Sequence, residues 1–510
     1  MNIADLVLYN IHEYGEYEFL VWREKIYTNV HLLELSRKLA EALKGIGVRR
    51  DHRVAIVLGN CPEAMVAFTA CAWIGAWATP IQFLLMPNEI GYVLDHSEAE
   101  VVITQQLWLS KVLEARSKAH KIRHVILIDP QEGESAPGML LLPDLLRNSS
   151  GNIECEQTEE DDVAFLIYTA GTTGTPRGVM LTHHNIISNV EATVATLKFD
   201  ANEISLSALP LYHAYGISNQ LSAYFFGAKV ILMSWFQPEE ALLLIEHHSV
   251  TTTAVVPAML IQMLRLPYRA DYETQSMKRW LCGAAPLSVD VLNRFEAAFG
   301  GKVLEGYGLT ETSPVVAMNR PGVPYKPGSV GQIISGVEVE IRDLRDKAVP
   351  CGWKGEICVR GPNVMKGYFK DSATTQEAIR DGWLHTGDAG YLDEDGYLFI
   401  TERIKDLIIR GGENIFPQDI EKVLLAHPDI AEASVVGCYD EVYGEDVMAI
   451  VVPKPKVDLT EEIVLEFCEG RLAKFQRPKK IIIAPMLPKT PMGKVLKRKL
   501  REQHGGFPEY

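Results

Sequence analysis

Through the first half of the chain, short apolar runs alternate with longer segments whose apolar residues recur every three or four positions. Arg53-Val54-Ala55-Ile56-Val57-Leu58, Val101-Val102-Ile103 and Val125-Ile126-Leu127-Ile128 are short and β-branched, which predicts strands. Residues 32–43 carry helical spacing ahead of the first of them. Such alternation predicts an α/β domain with layered sheets. Residues 64–86 hold no charged side chain and are long enough to cross a bilayer. Thr69, Gly75, Thr79, Pro80 and Gln82 interrupt them, however, which predicts a buried helix ending near Gly75 and a buried strand near Pro80. Residues 131–162 are poor in β-formers and read as a surface loop with one short helix.

Near residues 328–361 the texture changes. Val337-Glu338-Val339-Glu340-Ile341 and Gly355-Glu356-Ile357-Cys358-Val359, separated by Gly and Pro, predict a small antiparallel, β-barrel-like region. Residues 471–501 then contain eleven Lys or Arg and no Asp or Glu, in a chain of net charge −16. Either this is a solvated basic face or it belongs to a small separate domain facing polyphosphate. At 510 residues the chain calls for roughly two or three domains. Its acidity is unfavourable for nucleic-acid binding, which needs basic surface to meet phosphates. Eight cysteines without CxxC or zinc-like spacing fit reduced thiols in the cytoplasm, and no leader pattern is read at the N-terminus.

The richest local chemistry follows the apolar run Val163-Ala164-Phe165-Leu166-Ile167-Tyr168. Thr169-Ala170-Gly171-Thr172-Thr173-Gly174-Thr175-Pro176-Arg177-Gly178 combines glycines that admit close backbone approach, threonine hydroxyls, and a forked cation suited to phosphate. Chemically this suits a polyphosphate loop, although a Gly/Thr loop taken alone reads equally as structural. It is not the P-loop of kinases, since Gly171 and Gly174 are too close together and no Lys-Ser/Thr follows.

From this loop onward the sequence resembles the adenylate-forming superfamily of acyl-CoA synthetases, luciferase and peptide-synthetase adenylation domains. The motifs occur in the family's order: Tyr168 to Gly178, Leu209-Pro210-Leu211-Tyr212-His213, Cys282-Gly283-Ala284-Ala285-Pro286-Leu287, and Glu305-Gly306-Tyr307-Gly308-Leu309-Thr310-Glu311-Thr312. Gly382-Trp383-Leu384-His385-Thr386-Gly387-Asp388, Arg403-Ile404-Lys405-Asp406 and Pro488-Lys489-Thr490-Pro491-Met492-Gly493-Lys494 complete the series. The resemblance implies a large N-terminal domain over 1–403 and a small mobile α+β domain over 404–510. It implies an ATP-dependent acid–thiol ligase that makes an acyl-adenylate, releases pyrophosphate, and passes the acyl group to coenzyme A.

Roles follow from the same resemblance. Thr169, Ala170, Gly171, Thr172, Thr173, Gly174 and Arg177 would wrap the β- and γ-phosphates. Gly283, Ala284, Ala285 and Pro286 would let adenine lie against backbone, with Glu305, Gly306, Tyr307 and Gly308 opposite and Tyr307 stacked on the ring. Thr310 would donate to the α-phosphate, and Glu311 would hold Mg²⁺, a hard ion suited to oxygen ligands. Asp388 and Arg403 would fix the ribose, although by its Thr-Gly-Asp-Ala-Gly setting alone Asp388 reads as a turn residue. Lys494 would bridge carboxylate and α-phosphate during adenylation; in a basic tail alone it would read as a surface lysine. Lys405 matches the hinge, and Gly411, Gly412 and Glu413 would replace Lys494 on the CoA side in a second pose. Two positions depart from the common pattern: Ala170 stands where Ser is usual and Arg177 where Lys is usual, which bears on rate and nucleotide affinity.

The acyl pocket is expected from Tyr212, His213, Tyr215, Gly216, Val256, Met259, Gly283 and Gly308, an apolar and aromatic set with His213 either orienting the carboxylate or simply packed. It suits a medium- or long-chain fatty acid, with an aryl acid as the alternative. Residues 209–227 lack the acid that would pair an amino-acid ammonium, and the chain runs 16 residues beyond Lys494, both against a peptide-synthetase module. An acceptor on a carrier protein, and a non-catalytic nucleotide sensor, stay open. No transmembrane segment is expected; peripheral membrane contact and a homodimer are left open.

Overall fold

The computed structural model describes residues 1–131, 138–169, 176–343, 345–410, 413–489 and 495–506. The loop residues Ala170 to Thr175, Gly411, Gly412 and Lys494 therefore lie outside the described residues, as do the side chains of Lys405 and Glu413. The chain packs as two compact units, one of Met1–Val339 with Val359–Leu384 and one of Glu340–Cys358 with His385–Tyr510.

The first unit is built on two sheets. In the larger, Lys302–Gly308, Arg279–Cys282, Thr252–Val255, Ile204–Ser207, Lys229–Leu232 and Glu18–Trp22 run parallel in that spatial order. Val315–Met318 continues the sheet antiparallel to Lys302–Gly308, with Gln332–Ile333 at the edge beyond it. In the second sheet Trp77–Pro80, Arg53–Val57, Val101–Thr104 and His124–Leu127 are parallel, and Val163–Thr169 continues them beside Trp77–Pro80. Their continuous apolar composition has a direct cause: helices cover both faces of a parallel sheet, so no face is left for polar residues. The helix Asn29–Gly45 begins where Thr28 accepts from the His31 N–H, and it buries Leu32, Ser36, Leu39 and Leu43 on one stripe.

The uncharged stretch resolves into the helix Pro62–Trp73, buried nearly all round, and the buried strand Trp77–Pro80, joined at Gly75 with φ +65°. Among the described residues no helix is long and apolar enough to cross a membrane. Residues 131–162 hold the expected short helix, Leu142–Asn148, together with an unexpected three-residue edge strand, Met139–Leu141. That strand is too short for its periodicity to register, and only its pairing with His124–Leu127 defines it. All eight cysteines are free thiols.

The second unit contains a sheet ordered Glu413–Ile415, Ile408–Arg410, Gly444–Pro453, Ile430–Asp440, with Lys480–Ile483 parallel to Gly444–Pro453. Ile420, Leu424, Val435, Val447, Ala449, Val464 and Cys468 form its core, and Leu500 of the helix Lys497–His504 packs with Val436, Met448 and Ile450.

Candidate functional site

The expected nucleotide residues of the first unit gather where parallel strands end. Gly283 follows Arg279–Cys282, and Glu305 to Gly308 are the last residues of Lys302–Gly308. Carboxyl ends of neighbouring parallel strands are where open α/β sheets leave a crevice. Here the crevice is a narrow slot lined by Tyr215, Gly283, Ala284, Gly306, Tyr307, Gly308, Pro314, Val315 and Met318.

Backbone geometry sets its width. A Cβ on Gly308 would lie 1.8 Å from the Pro314 carbonyl oxygen, so no larger residue fits there. A Cβ on Gly283 would instead meet the Gly306 oxygen at 3.4 Å and the Tyr215 ring at 3.5 Å, ordinary contact that would narrow the slot. Tyr215 is fixed by donating its hydroxyl to the Leu281 oxygen at 2.9 Å, and burial pushes that phenol's pKa upward. Ala284 turns the chain at φ +68°, and Ala285 and Pro286 are exposed beside it.

Not every expected pocket residue lines this slot. Tyr212 is buried with its ring edge-on to Phe83 at 5.2 Å, and Val256 and Met259 belong to the hydrophobic core. Gly216 is buried against the Pro210 carbonyl, 2.2 Å from where a Cβ would stand. His213 precedes the helix Ala214–Phe226; its ring is solvent-accessible, 4.6 Å from that of Tyr212. Desolvation lowers the His213 pKa, which favours the neutral imidazole. Pro314, Val315 and Met318 were absent from the sequence expectation. Val-Val-Ala-Met reads as an ordinary core strand, and only its pairing with Lys302–Gly308 brings it to the slot.

Glu305 faces the wall. Its carboxylate accepts from the Tyr325 hydroxyl at 3.0 Å and from the Leu287 N–H, so it ties the strand end to the turn that carries Ala284 to Pro286. Burial raises its pKa from 4.5 to about 7, against the lowering effect of those hydrogen bonds. The folded chain therefore keeps a proton there that the unfolded chain releases. The associated stability is complete below about pH 4.5 and is lost as pH rises through 7. Glu305→Gln is expected to flatten the fall in melting temperature across this window, removing up to ~3 kcal/mol of pH dependence. Glu402, also raised to about 7 by burial, keeps the slope from vanishing. Melting curves collected from pH 4.5 to 7.5 check this, and an unaltered slope would count against it.

Thr169 and Arg177 stand opposite each other in the hairpin formed by Val163–Thr169 and Arg177–Thr182, at the base of the threonine-rich loop. The Arg177 guanidinium lies 5.6 Å over the Tyr368 ring, and the Tyr368 hydroxyl donates to Glu311 Oε1 at 3.1 Å. Burial, then the Glu311 charge, pushes the Tyr368 phenol upward, so it remains a donor at neutral pH. Thr310 and Glu311 sit on the single turn Thr310–Thr312, and the Glu311 carbonyl accepts from the Met365 N–H at 2.9 Å. Tyr368 links the loop cation to the acidic residue, a role no local motif announces.

In the second unit Asp388 lies within the strand Trp383–Leu392, 5% exposed, opposite Arg403 of Leu398–Arg403. It is a strand residue, not the turn residue its glycine-rich setting suggests. Arg403 Nε is 2.7 Å from Asp388 Oδ1. The Asp388 N–H donates to the Thr386 hydroxyl at 3.1 Å, and the Gly387 N–H donates to Glu356 Oε1 at 3.0 Å. Glu356, Cys358 and His385 are also close enough to share an ion. Their contacts include a His385 Nδ1–Glu356 Oε2 distance of 2.8 Å, and Glu356 is the group that steadies the Thr386 to Asp388 backbone.

Residues 9–369 match the family model described as AMP-binding enzyme, and residues 419–494 match AMP-binding enzyme C-terminal domain. The chain is 34% identical to 4-coumarate–CoA ligase 2 of Solanum tuberosum, over 94% of this chain and 89% of that one. It is 35% identical to a long-chain-fatty-acid–CoA ligase of Bacillus subtilis, over 91% and 88% respectively. Among solved structures, ATP-bound MatB from Rhodopseudomonas palustris superposes with a TM-score of 0.88 at 30% identity, covering 99% of both chains.

Proposed function

Because the chain belongs to the AMP-binding enzyme family, in its acid–CoA ligase branch, we propose that it joins a carboxylic acid of apolar body to coenzyme A at the expense of ATP. It is an AMP-forming acid–thiol ligase. The observation that carries the reading of the site is the clustering of Gly283, Ala284 and Gly306 to Gly308 in one slot at the carboxyl ends of parallel strands.

A carboxylate is a poor acyl donor because its carbon is electron-rich and oxide is a bad leaving group. Attack of the carboxylate oxygen on the α-phosphorus forms an acyl–AMP anhydride and expels pyrophosphate. The thiol of coenzyme A then attacks the acyl carbon, releases AMP and loses its proton. In the first unit Arg177 and the threonine-rich loop would hold the β- and γ-phosphates, Tyr307 would stack on adenine, and Thr310 would donate to the α-phosphate. Asp388 and Arg403 would fix the ribose. Lys494 would neutralise charge between carboxylate and α-phosphate, and domain 404–510 would turn about Lys405 so that Gly411, Gly412 and Glu413 serve thioester formation. Glu305 would act from the wall through the turn it holds.

Glu311 fits Mg²⁺, being a half-buried hard oxygen donor held in place by the Tyr368 hydroxyl. The ion would offset phosphate charge. Tyr368→Phe is expected to raise the half-saturating MgATP concentration about tenfold with the acid KM unchanged, the ~1.5 kcal/mol of a hydrogen bond to a charged group. Pyrophosphate exchange against MgATP concentration measures it.

No charged side chain lines the slot among the described residues, so a second carboxylate or an ammonium on the acid would be buried without a partner. This supports an acid of apolar body, and likeness to a long-chain-fatty-acid–CoA ligase supports a medium- or long-chain fatty acid. An aryl acid is the second reading, favoured by the Tyr215 ring against Gly283 and by likeness to 4-coumarate–CoA ligases. A panel of octanoate, palmitate, benzoate and 4-coumarate, assayed with CoA and then with an acyl carrier protein, separates these readings. Activity with none of the acids would remove the assignment. The free thiols suit a reducing compartment such as the cytoplasm.

A further inference from the structure

Three residues beyond Lys494, Lys497 carries a side chain that is only 15% exposed, in a helix otherwise rich in exposed cations. Its ammonium lies 3.0 Å from Glu402 Oε1 and 3.0 Å from Glu421 Oε1. Both carboxylates have further fixed donors: Glu402 Oε2 accepts from the Gln418 N–H at 3.0 Å, and Glu421 Oε1 from the Val435 N–H at 2.7 Å. Burial lifts Glu402 to about 7 even with Lys497 beside it.

The trio joins two places of chemical interest. Glu402 immediately precedes Arg403, whose guanidinium holds Asp388. At the other end, Lys489 and Val495 form an antiparallel bridge, the Leu496 N–H donates to the Pro488 oxygen at 2.8 Å, and Lys489 Nζ meets Glu432 at 2.7 Å. Lys497 follows Lys494 by three residues in the sequence, and three residues of chain reach at most about 11 Å. A flexible ammonium has little directional preference of its own, whereas one caught between two anchored carboxylates fixes its backbone.

We propose that Lys497 is a positioning residue for adenylation: clamped between Glu402 and Glu421, it sets the placement of the segment bearing Lys494 from the same strand end that holds the Asp388–Arg403 pair. This rests on the reading of Lys494 as the adenylation lysine. The clamp also straddles the proposed hinge, since Glu402 precedes Lys405 while Glu421 and Lys497 follow it.

The test compares both half-reactions in the full chain. Lys497→Met is expected to slow acyl-adenylate formation roughly ten- to a hundredfold, the usual cost of a displaced catalytic group. Conversion of preformed acyl-adenylate with CoA should not slow, and Lys497→Arg should restore most of the loss. Removing Lys497 alone leaves two buried carboxylates unpaired, so the double variant Glu402→Gln, Lys497→Met is run beside it to protect folding. Amide exchange at Leu496 should quicken in both variants. Equal slowing of both half-reactions, no slowing of either, or unchanged exchange at Leu496 would overturn the proposal. Lys494→Ala is the control: if it spares adenylation the underlying reading fails, and if it removes adenylation while Lys497→Met does not, only the positioning role fails.

Discussion

Replacing Lys494 with alanine is expected to slow acyl-adenylate formation by on the order of 10³-fold while sparing thioester formation from preformed acyl-adenylate. The size follows from the role proposed for the ammonium. Carboxylate and α-phosphate are both anionic, and bond formation concentrates further charge on the phosphoryl oxygens. In a site closed to water, one cation touching both groups is worth several kcal/mol more in the transition state than in solvent. The asymmetry follows from the second step, for which the proposed turn of domain 404–510 would carry Lys494 away from the acyl-adenylate before the thiol displaces AMP. Lys494→Arg keeps the charge with a different reach and shape, and should fall between the two. Pyrophosphate exchange reports the first step, and thioester release from synthetic acyl-adenylate the second. Equal loss in both would show that the residue acts on the fold or on the acyl group instead.

Asp388→Ala should weaken AMP binding about a hundredfold, with little change in folding stability. Two hydrogen bonds from ribose hydroxyls to a carboxylate contribute roughly 1.5 kcal/mol each, which gives about 3 kcal/mol in all. Stability is nearly insulated because Arg403, the partner left behind, is 41% exposed and stays hydrated. Asp388→Asn removes the charge at constant size and should recover part of the binding. Equilibrium titration with AMP, alongside melting curves, separates the two quantities. A variant that melts much lower but binds AMP normally would make Asp388 a structural member of the hairpin and nothing more.

The strands and helices of the first unit were legible because their signals are local. Val101-Val102-Ile103 reads as a strand from three residues, and Thr28 announces a helix through its own hydroxyl. The uncharged stretch at residues 64–86 was legible for the same reason, since Gly75 at φ +65° and Pro80 break it inside its own span. The edge strand Met139–Leu141 was not, because a single pairing partner defines it. Asp388 shows the limit most clearly. Its neighbours Gly387 and Gly390 suggest a turn, yet pairing with a strand fifteen positions away, Asp388 opposite Arg403, holds it extended and buried.

From sequence alone came the order of the motifs, and with it the family and the acid–thiol ligase chemistry. Short contiguous motifs carry such information because glycines, hydroxyls and cations must lie within a few bonds of one another to cradle a phosphate. Tertiary structure alone decided which side chains of those motifs face the slot and which hold its walls. Tyr215 borders the slot while Tyr212, three positions earlier, packs on Phe83; Glu305 turns to Tyr325 and Leu287; Lys497 is claimed by carboxylates 95 and 76 positions away in the chain. The physical reason is that burial, pairing and ion contacts are made with residues distant in sequence, and no local pattern encodes where those partners come to rest.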